Sequence, residues 1–239
     1  MKKKALIVWG GWEGHQPDLV ANRFKSELIQ LGVEVEVSDT LDAFSDDGKL
    51  KELDLIIPIW TMDKINNDYV VNICEAVANG TGLAGCHGGM CDAFRENVLW
   101  QFITGGNWVS HPGGDTVEYT VHIRNSSSPL VDGIADFKVK SEQYYLHVDP
   151  ANEILATTVP ASRWYHSANG QVDMPVVWTR KWGVGRVYYN SLGHHADTFD
   201  IPEAMELMRR GIQWALDGKQ IARNQGLSSS LYASEDKNF

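Results

Sequence analysis

The chain has 239 residues, with 21 Lys+Arg against 31 Asp+Glu and a formal net charge of −10. That acidity argues against a nucleic-acid surface or a basic membrane patch. Hydrophobic residues at 43% and charged residues at 22% are ordinary globular composition, which excludes extensive disorder, and the length suits one large domain.

Lys2, Lys3 and Lys4 lead into the apolar run 5–9 as in a signal peptide. The run stops at Gly10 and Gly11, short of the roughly 7–15 apolar residues an h-region needs. Residues 5–9 therefore read as a buried parallel strand, and no stretch approaches the ~20 apolar residues of a membrane span. Leu19, Val20, Phe24, Leu28, Ile29 and Leu31 follow helical spacing, with Gly32 as the C-terminal stop. Val33, Val35 and Val37 alternate with Glu34 and Glu36 as a half-exposed strand. Residues 53–59 form a third strand ending at Trp60, residues 68–78 a helix, and residues 82–86 a fourth strand running into His87, Gly88 and Gly89. This rhythm predicts an α/β fold with an open, mostly parallel sheet flanked by helices.

Beyond about residue 105 the texture changes. Residues 105–114 read as an irregular loop. Strands are expected at 116–123, 137–142, 154–159, 176–179 and 186–191, separated by turn signals such as Asn169-Gly170. Consecutive strands without helices point to an antiparallel extension of the same sheet. Residues 202–216 form a final amphipathic helix. One domain is expected over 1–222, followed by a polar, poorly ordered tail over 223–239.

Ligands of open parallel sheets bind beyond the carboxyl ends of the strands. Three such ends deliver His15, His87 and His194, and the long loop adds His111. In Gly85-Cys86-His87-Gly88-Gly89 the glycines sit two before and two after His87, the spacing a sharp nucleophile-elbow turn requires. The four histidines suit general acid–base work or a divalent metal such as zinc, with His15 and His111 joined by His87 or His194 as ligands. No local His pair fixes a metal geometry. Cys86, beside the elbow, is the alternative nucleophile. The three cysteines, Cys74, Cys86 and Cys91, include no C-x-x-C pair and are too few for a disulfide framework, so a reducing, cytoplasmic setting is expected.

Gly10-Gly11 followed by His15, the Gly85–Gly89 segment, Gly105-Gly106 with His111-Pro112, Glu142-Gln143-Tyr144-Tyr145, Pro175-Val176-Val177-Trp178, and Gly185-Arg186-Val187-Tyr188-Tyr189 with Gly193-His194 together resemble the ThuA-like (trehalose-utilisation) family, in order from about residue 5 to residue 216. The resemblance implies a flavodoxin-like sheet related to the class I glutamine amidotransferases, with His87 where those enzymes hold a cysteine. It also implies a link to sugar metabolism.

The expected function is therefore an enzyme acting on a sugar or keto-sugar. His87, His194 and Glu142 carry its acid–base chemistry, and Trp12, Trp60, Trp108, Tyr144 and Arg180 bind substrate. Indole faces suit the apolar faces of sugar rings, and five of the nine Trp, at 9, 12, 60, 108 and 182, read as flanking this site. Trp100, Trp178 and Trp214 read as core. The alternatives are a non-catalytic sugar-binding or complex-forming protein on an amidotransferase-like fold and a Cys86-dependent hydrolase or amidotransferase. The partner expected is a small carbohydrate, without nucleic acid or membrane, on a chain that suits a homodimer. No G-x-G-x-x-G follows the first strand, which disfavours a nicotinamide-binding dehydrogenase.

Overall fold

The computed structural model describes residues 2–125, 127–161 and 164–233. The first strand, β1 (Lys4–Gly11), shows why its run is apolar at every position. Ala5 and Ile7 join one core and Leu6 and Val8 the other, so both faces of the strand are covered. After β1, α1 (Pro17–Gln30) starts on a proline at its first turn, and Gly32 follows it at φ +75°. Next come β2 (Glu34–Ser38), the short α2 (Asp47–Glu52) capped by the Asp46 carboxylate, and β3 (Leu55–Thr61). The helix α3 (Asn67–Ala78) is capped by Asn66 and leads into β4 (Gly82–Cys86), which turns sharply into α4 (Gly88–Cys91).

Then α5 (Val98–Thr104) is followed by β5 (Gly106–Ser110), β6 (Val117–Ile123), β7 (Phe137–Ser141) and β8 (Tyr145–Val148). The strands β9 (Glu153–Thr158), β10 (Met174–Trp182) and β11 (Gly185–Asn190) precede the long helix α6 (Pro202–Asn224).

Among the described residues, nine strands make one sheet in the order β2-β1-β3-β4-β11-β10-β9-β6-β7. The first five are parallel neighbours, a doubly wound flavodoxin-like half. From β11 onward the pairing is antiparallel, which is the expected extension. On one face α1 and α6 pack Phe24, Leu28, Met208 and Ile212 onto the sheet. On the other, α2 to α5 contribute Leu50, Ile73, Met90 and Trp100.

Several elements differ from those read in the sequence: α2, α5 and β8 are additional, and β10 runs over 174–182 instead of 176–179. The expected loop over 105–114 contains β5, which pairs antiparallel with β8 as a separate two-stranded ribbon. The last helix runs on to Asn224, and Lys219 is buried with its ammonium donating to the carbonyls of Lys51 and Leu53. Of the expected tail, residues 225–233 include a helical turn over Ser229–Leu231 in which Ser229 donates to Asn79; residues 234–239 lie outside the described residues.

Candidate functional site: an imidazole–carboxylate cluster at the strand ends

The parallel strands end on the same side, and each of the relevant ends delivers one side chain. Beyond β1, a short turn holds His15 buried. Trp12 N–H donates to the Thr61 carbonyl at 3.1 Å, which ties this turn to the end of β3. Thr61 Oγ1 in turn lies 2.9 Å from His15 Nδ1. Gly11 lies at φ +78°, and a Cβ there would meet the Thr61 carbonyl oxygen at 2.2 Å, so only glycine permits this approach.

Beyond β4, His87 occupies the elbow at φ +47°, ψ −135°. That is a sparsely populated conformation for a residue with a side chain, and strain of this kind concentrates at functional sites. The backbone over-determines it: His87 N–H donates to the Asn190 carbonyl at 2.7 Å, and Tyr189 OH donates to the His87 carbonyl at 3.1 Å. Gly88 completes the turn, because a Cβ there would lie 2.6 Å from the His15 ring. The glycine spacing around His87 thus reflects both the sharp turn and the crowding of two imidazoles.

Beyond β11 comes His194, and from the far antiparallel edge the segment after β7 brings Glu142 back over the strand ends. Tyr119 OH, on the neighbouring β6, donates to the Glu142 carbonyl at 3.0 Å, and Gln143 donates to Thr158 Oγ1 at 2.7 Å. These bonds fix a segment with no regular structure of its own.

The four side chains converge. Glu142 Oε2 lies 3.1 Å from His87 Nε2, 3.2 Å from His194 Nδ1 and 3.9 Å from His15 Nε2. All four residues are buried. The three rings meet edge to face, with centroids 4.7, 5.0 and 5.3 Å apart. Each of His15, His87, Glu142 and His194 offers one donor atom within 4.8 Å of the others, a set able to surround a metal ion. His111 stands outside that set, half-exposed, with Nδ1 3.6 Å from the other carboxylate oxygen, Oε1. The sequence reading placed His111 among the metal ligands and Glu142 among the acid–base groups; the geometry puts Glu142 in the inner set instead.

The electrostatics follow from burial. Desolvation, reinforced by the neighbouring imidazoles of His87 and His194, lowers the pKa of His15 to about 2, so this ring is neutral. Desolvation also lowers that of His87, against the opposing pull of Glu142 and the Ser191 carbonyl. Burial alone pushes the Glu142 carboxyl up, but the His194 and His87 rings beside it outweigh that effect and hold it below the usual carboxylate range. The cluster thus sets an anion beside two rings, His15 and His87, whose burial opposes their charging.

Aromatic side chains form its walls. Tyr144 is buried and stacks on His87 at 3.9 Å, and Trp12 packs edge-on against His15 at 4.8 Å with half of its surface exposed. Trp108 lies 5.6 Å from His111 and 6.5 Å from Tyr144, with the Arg95 guanidinium 4.1 Å over its ring. The residues flanking His111, namely Val109, Ser110 and Pro112, line an adjoining cavity of about 670 Å³ whose other walls include Tyr145, Trp164 and Tyr165.

Other expected residues lie elsewhere. Trp60 donates to Asp63 and roofs Gly10. Trp9 packs on the core under α1, and Trp182 meets Phe102 edge-on at 5.1 Å. Arg180 is not in the cluster: its guanidinium is buried in an ion pair with Asp149 at 3.0 Å and a hydrogen bond to Asn152. The core reading of Trp100 and Trp178 agrees with their buried indole N–H groups, which donate to the Met90 and Thr104 carbonyls. Cys86 is buried in the apolar core, and desolvation pushes its thiol up to about 12.

Three neighbours carried no signal in the sequence. Asp92 is buried beside the elbow helix and paired with Arg95. Asp115 lies 3.7 Å from His194 Nε2, and the His195 ring is tilted against His194 with centroids 4.1 Å apart. None sits in a local motif, so only the folded chain reveals them.

A doubly wound sheet with a histidine at its elbow and an imidazole–carboxylate cluster over its strand ends defines the class of protein. The chain belongs to the ThuA family, described as trehalose utilisation, whose family profile matches residues 4–215. No curated protein sequence matches it. Among solved structures, a ThuA-like protein from Bacteroides uniformis is similar at 19% identity and TM-score 0.70, covering 96% of this chain and 95% of that one. A ThuA-like protein from Parabacteroides merdae is similar at 18% identity and TM-score 0.68, covering 92% and 91%. A β-galactosidase from Bacillus circulans sp. alkalophilus shares the fold over 95% of this chain and 32% of its own length, at 15% identity and TM-score 0.56.

Proposed function

We propose that the protein is an enzyme of carbohydrate metabolism that acts on a sugar or keto-sugar, with its chemistry centred on His87, His194 and Glu142. The observation that carries this reading is the convergence of three buried imidazoles, from three separate strand ends, on one oxygen of a buried carboxylate. Burying four ionisable groups together opposes folding stability, and such arrangements concentrate where chemistry is done. The family's description, trehalose utilisation, supports a carbohydrate as the substrate.

The parts suit such a substrate. The Ser191 carbonyl holds His87 by its Nδ1–H, so Nε2 is the working edge. Nε2 lies 3.1 Å from Glu142 Oε2, so the two groups face the same point and can share in holding or accepting a substrate proton there. The exposed Trp12 face and the partly exposed Trp108 ring provide apolar platforms for a pyranose. The adjoining cavity leaves room for the remainder of a disaccharide.

The test offers purified protein a panel of disaccharides and their keto derivatives, follows products by mass spectrometry and measures binding by calorimetry. His87→Ala and Glu142→Gln are expected to lower turnover by roughly 10²–10⁴-fold while sugar affinity changes little. Binding without turnover by the unaltered protein would select the sugar-binding alternative, and turnover lost in Cys86→Ser would select the thiol hydrolase.

A further inference from the structure

The cluster poses a charge problem that its own groups do not close. Ser191 O can only accept, so at 2.8 Å it takes the proton of His87 Nδ1, and in the neutral ring that burial favours Nε2 is then a lone pair. That lone pair faces Glu142 Oε2 at 3.1 Å, acceptor against acceptor. His194 Nδ1, buried and 3.2 Å from the same oxygen, has no hydrogen-bond partner. His15 turns Nε2 toward this oxygen at 3.9 Å while Thr61 Oγ1 occupies its Nδ1. Ring nitrogens of three histidines and a carboxylate oxygen thus converge on one buried point, and a cation there would satisfy the unpaired His194 Nδ1 together with the facing Glu142 and His87 atoms.

We infer that His15 Nε2, His87 Nε2, His194 Nδ1 and Glu142 Oε2 are the four ligands of a single divalent transition-metal ion of the zinc type. Donors around a tetrahedral zinc lie about 3.3 Å apart, given metal–ligand bonds of about 2.0–2.1 Å. The separations of 3.1, 3.2 and 3.9 Å from Oε2 bracket that value. Three imidazoles with one carboxylate suit zinc and its neighbours far better than magnesium or calcium, which demand oxygen. Two ligands already have the outer partners that metal-bound histidines use: the Ser191 carbonyl behind His87 and the Thr61 hydroxyl behind His15. Such an ion would polarise a sugar carbonyl or hydroxyl only by accepting that oxygen as a further ligand beyond the four residues. Ligation of the inner four would pass the proton transfer proposed above for His87, His194 and Glu142 to exposed His111, 3.6 Å from Oε1 at the mouth of the site. The metal assignment itself stands on the donor geometry; its part in the reaction rests on the function proposed above.

The test is metal binding, read without any substrate. Protein stripped with a chelator is titrated with Zn²⁺ and with Co²⁺, following metal content by mass spectrometry and the cobalt visible absorption. About one equivalent per chain is expected, with the intense bands of a four-coordinate site. His87→Ala and Glu142→Gln should weaken binding by more than about 100-fold, and Thr61→Val, which removes only an outer partner, by about 10–100-fold. His122→Ala, at an exposed pair with Asp136, should leave it unchanged. Circular dichroism checks that each variant is folded, and Thr61→Val serves should a ligand variant unfold. Absence of stoichiometric binding, or binding unaltered in the folded ligand variants, overturns the assignment. A bound metal without sugar turnover overturns the proposed function alone; sugar turnover without a metal overturns the metal site alone.

Discussion

His87 carries a conformation, a fixed tautomer and a stacked tyrosine at once, and each has a separate cause in the residues around it. The backbone turn is legible from glycine spacing alone, because Gly85, Gly88 and Gly89 leave few other uses for that pattern. Gly88 is predicted to be intolerant: in Gly88→Ala the added methyl would sit 2.6 Å from His15 Cε1. The backbone or the ring must then shift, and a loss of roughly 1–3 kcal/mol is expected in urea unfolding; unchanged stability would contradict the crowding. Cys86 is one residue away and behaves oppositely. Its pKa, raised to about 12 by burial, leaves the thiol protonated throughout the neutral range and reactive only as pH approaches that value. Alkylation of the native protein at pH 8 should therefore spare Cys86 until denaturant is added, as peptide mass mapping would show. Thr61, Asp92 and Asp115 had no comparable sequence signal. Thr61 and Asp115 reach the histidines through space, Thr61 across 46 positions to His15, while Asp92 pairs with Arg95 beside the elbow.

At the scale of elements, the strands of the parallel half were the easiest to read, since burial on both faces demands uninterrupted apolar runs. The ribbon of β5 and β8 was not legible. Its sequence, Gly-Asn-Trp-Val-Ser against Tyr-Leu-His-Val, has no sustained alternation, and the pairing joins segments about forty positions apart. That ribbon matters to the site, because it carries Trp108 on one strand and leads from the other back to Tyr144. Arg180 was read as a substrate group from its place after an expected strand. It is a fastening instead, holding the turn after β8 against β10 through Asp149 and Asn152. Arg180→Ala is expected to cost about 1–3 kcal/mol, since it strands a partly buried carboxylate, without weakening sugar or metal binding. A selective loss of ligand affinity at unchanged stability would restore the substrate reading.

For the whole molecule, the order β2-β1-β3-β4-β11 sets the carboxyl ends of the parallel strands side by side, and the antiparallel strands then carry Glu142 back across them. The last helix packs on β4 and β11, beside α1 on the same face of the sheet. A chain ended after Leu216, where apolar periodicity suggested the helix stops, loses the buried Lys219 and Ala222 contacts. It should melt several degrees below a chain ended after Gly226, in a direct comparison by calorimetry; equal melting would show that the extra turns add nothing. Among the described residues, no helix is long and apolar enough to cross a membrane.

The nine tryptophans divide differently from the way their positions along the strands suggested. Trp12 and Trp108 stand at the cluster, while Trp9, Trp60 and Trp182 serve packing. By itself the sequence determined the α/β class, the parallel strands, the elbow at His87 and the set of histidines at strand ends, because burial and turn geometry write local, periodic signals. Only the tertiary structure decided that Glu142 sits among those histidines with His111 outside, and that Arg180 is spoken for. Those facts depend on which distant segments meet, and contact across the sheet leaves no spacing for the linear chain to display.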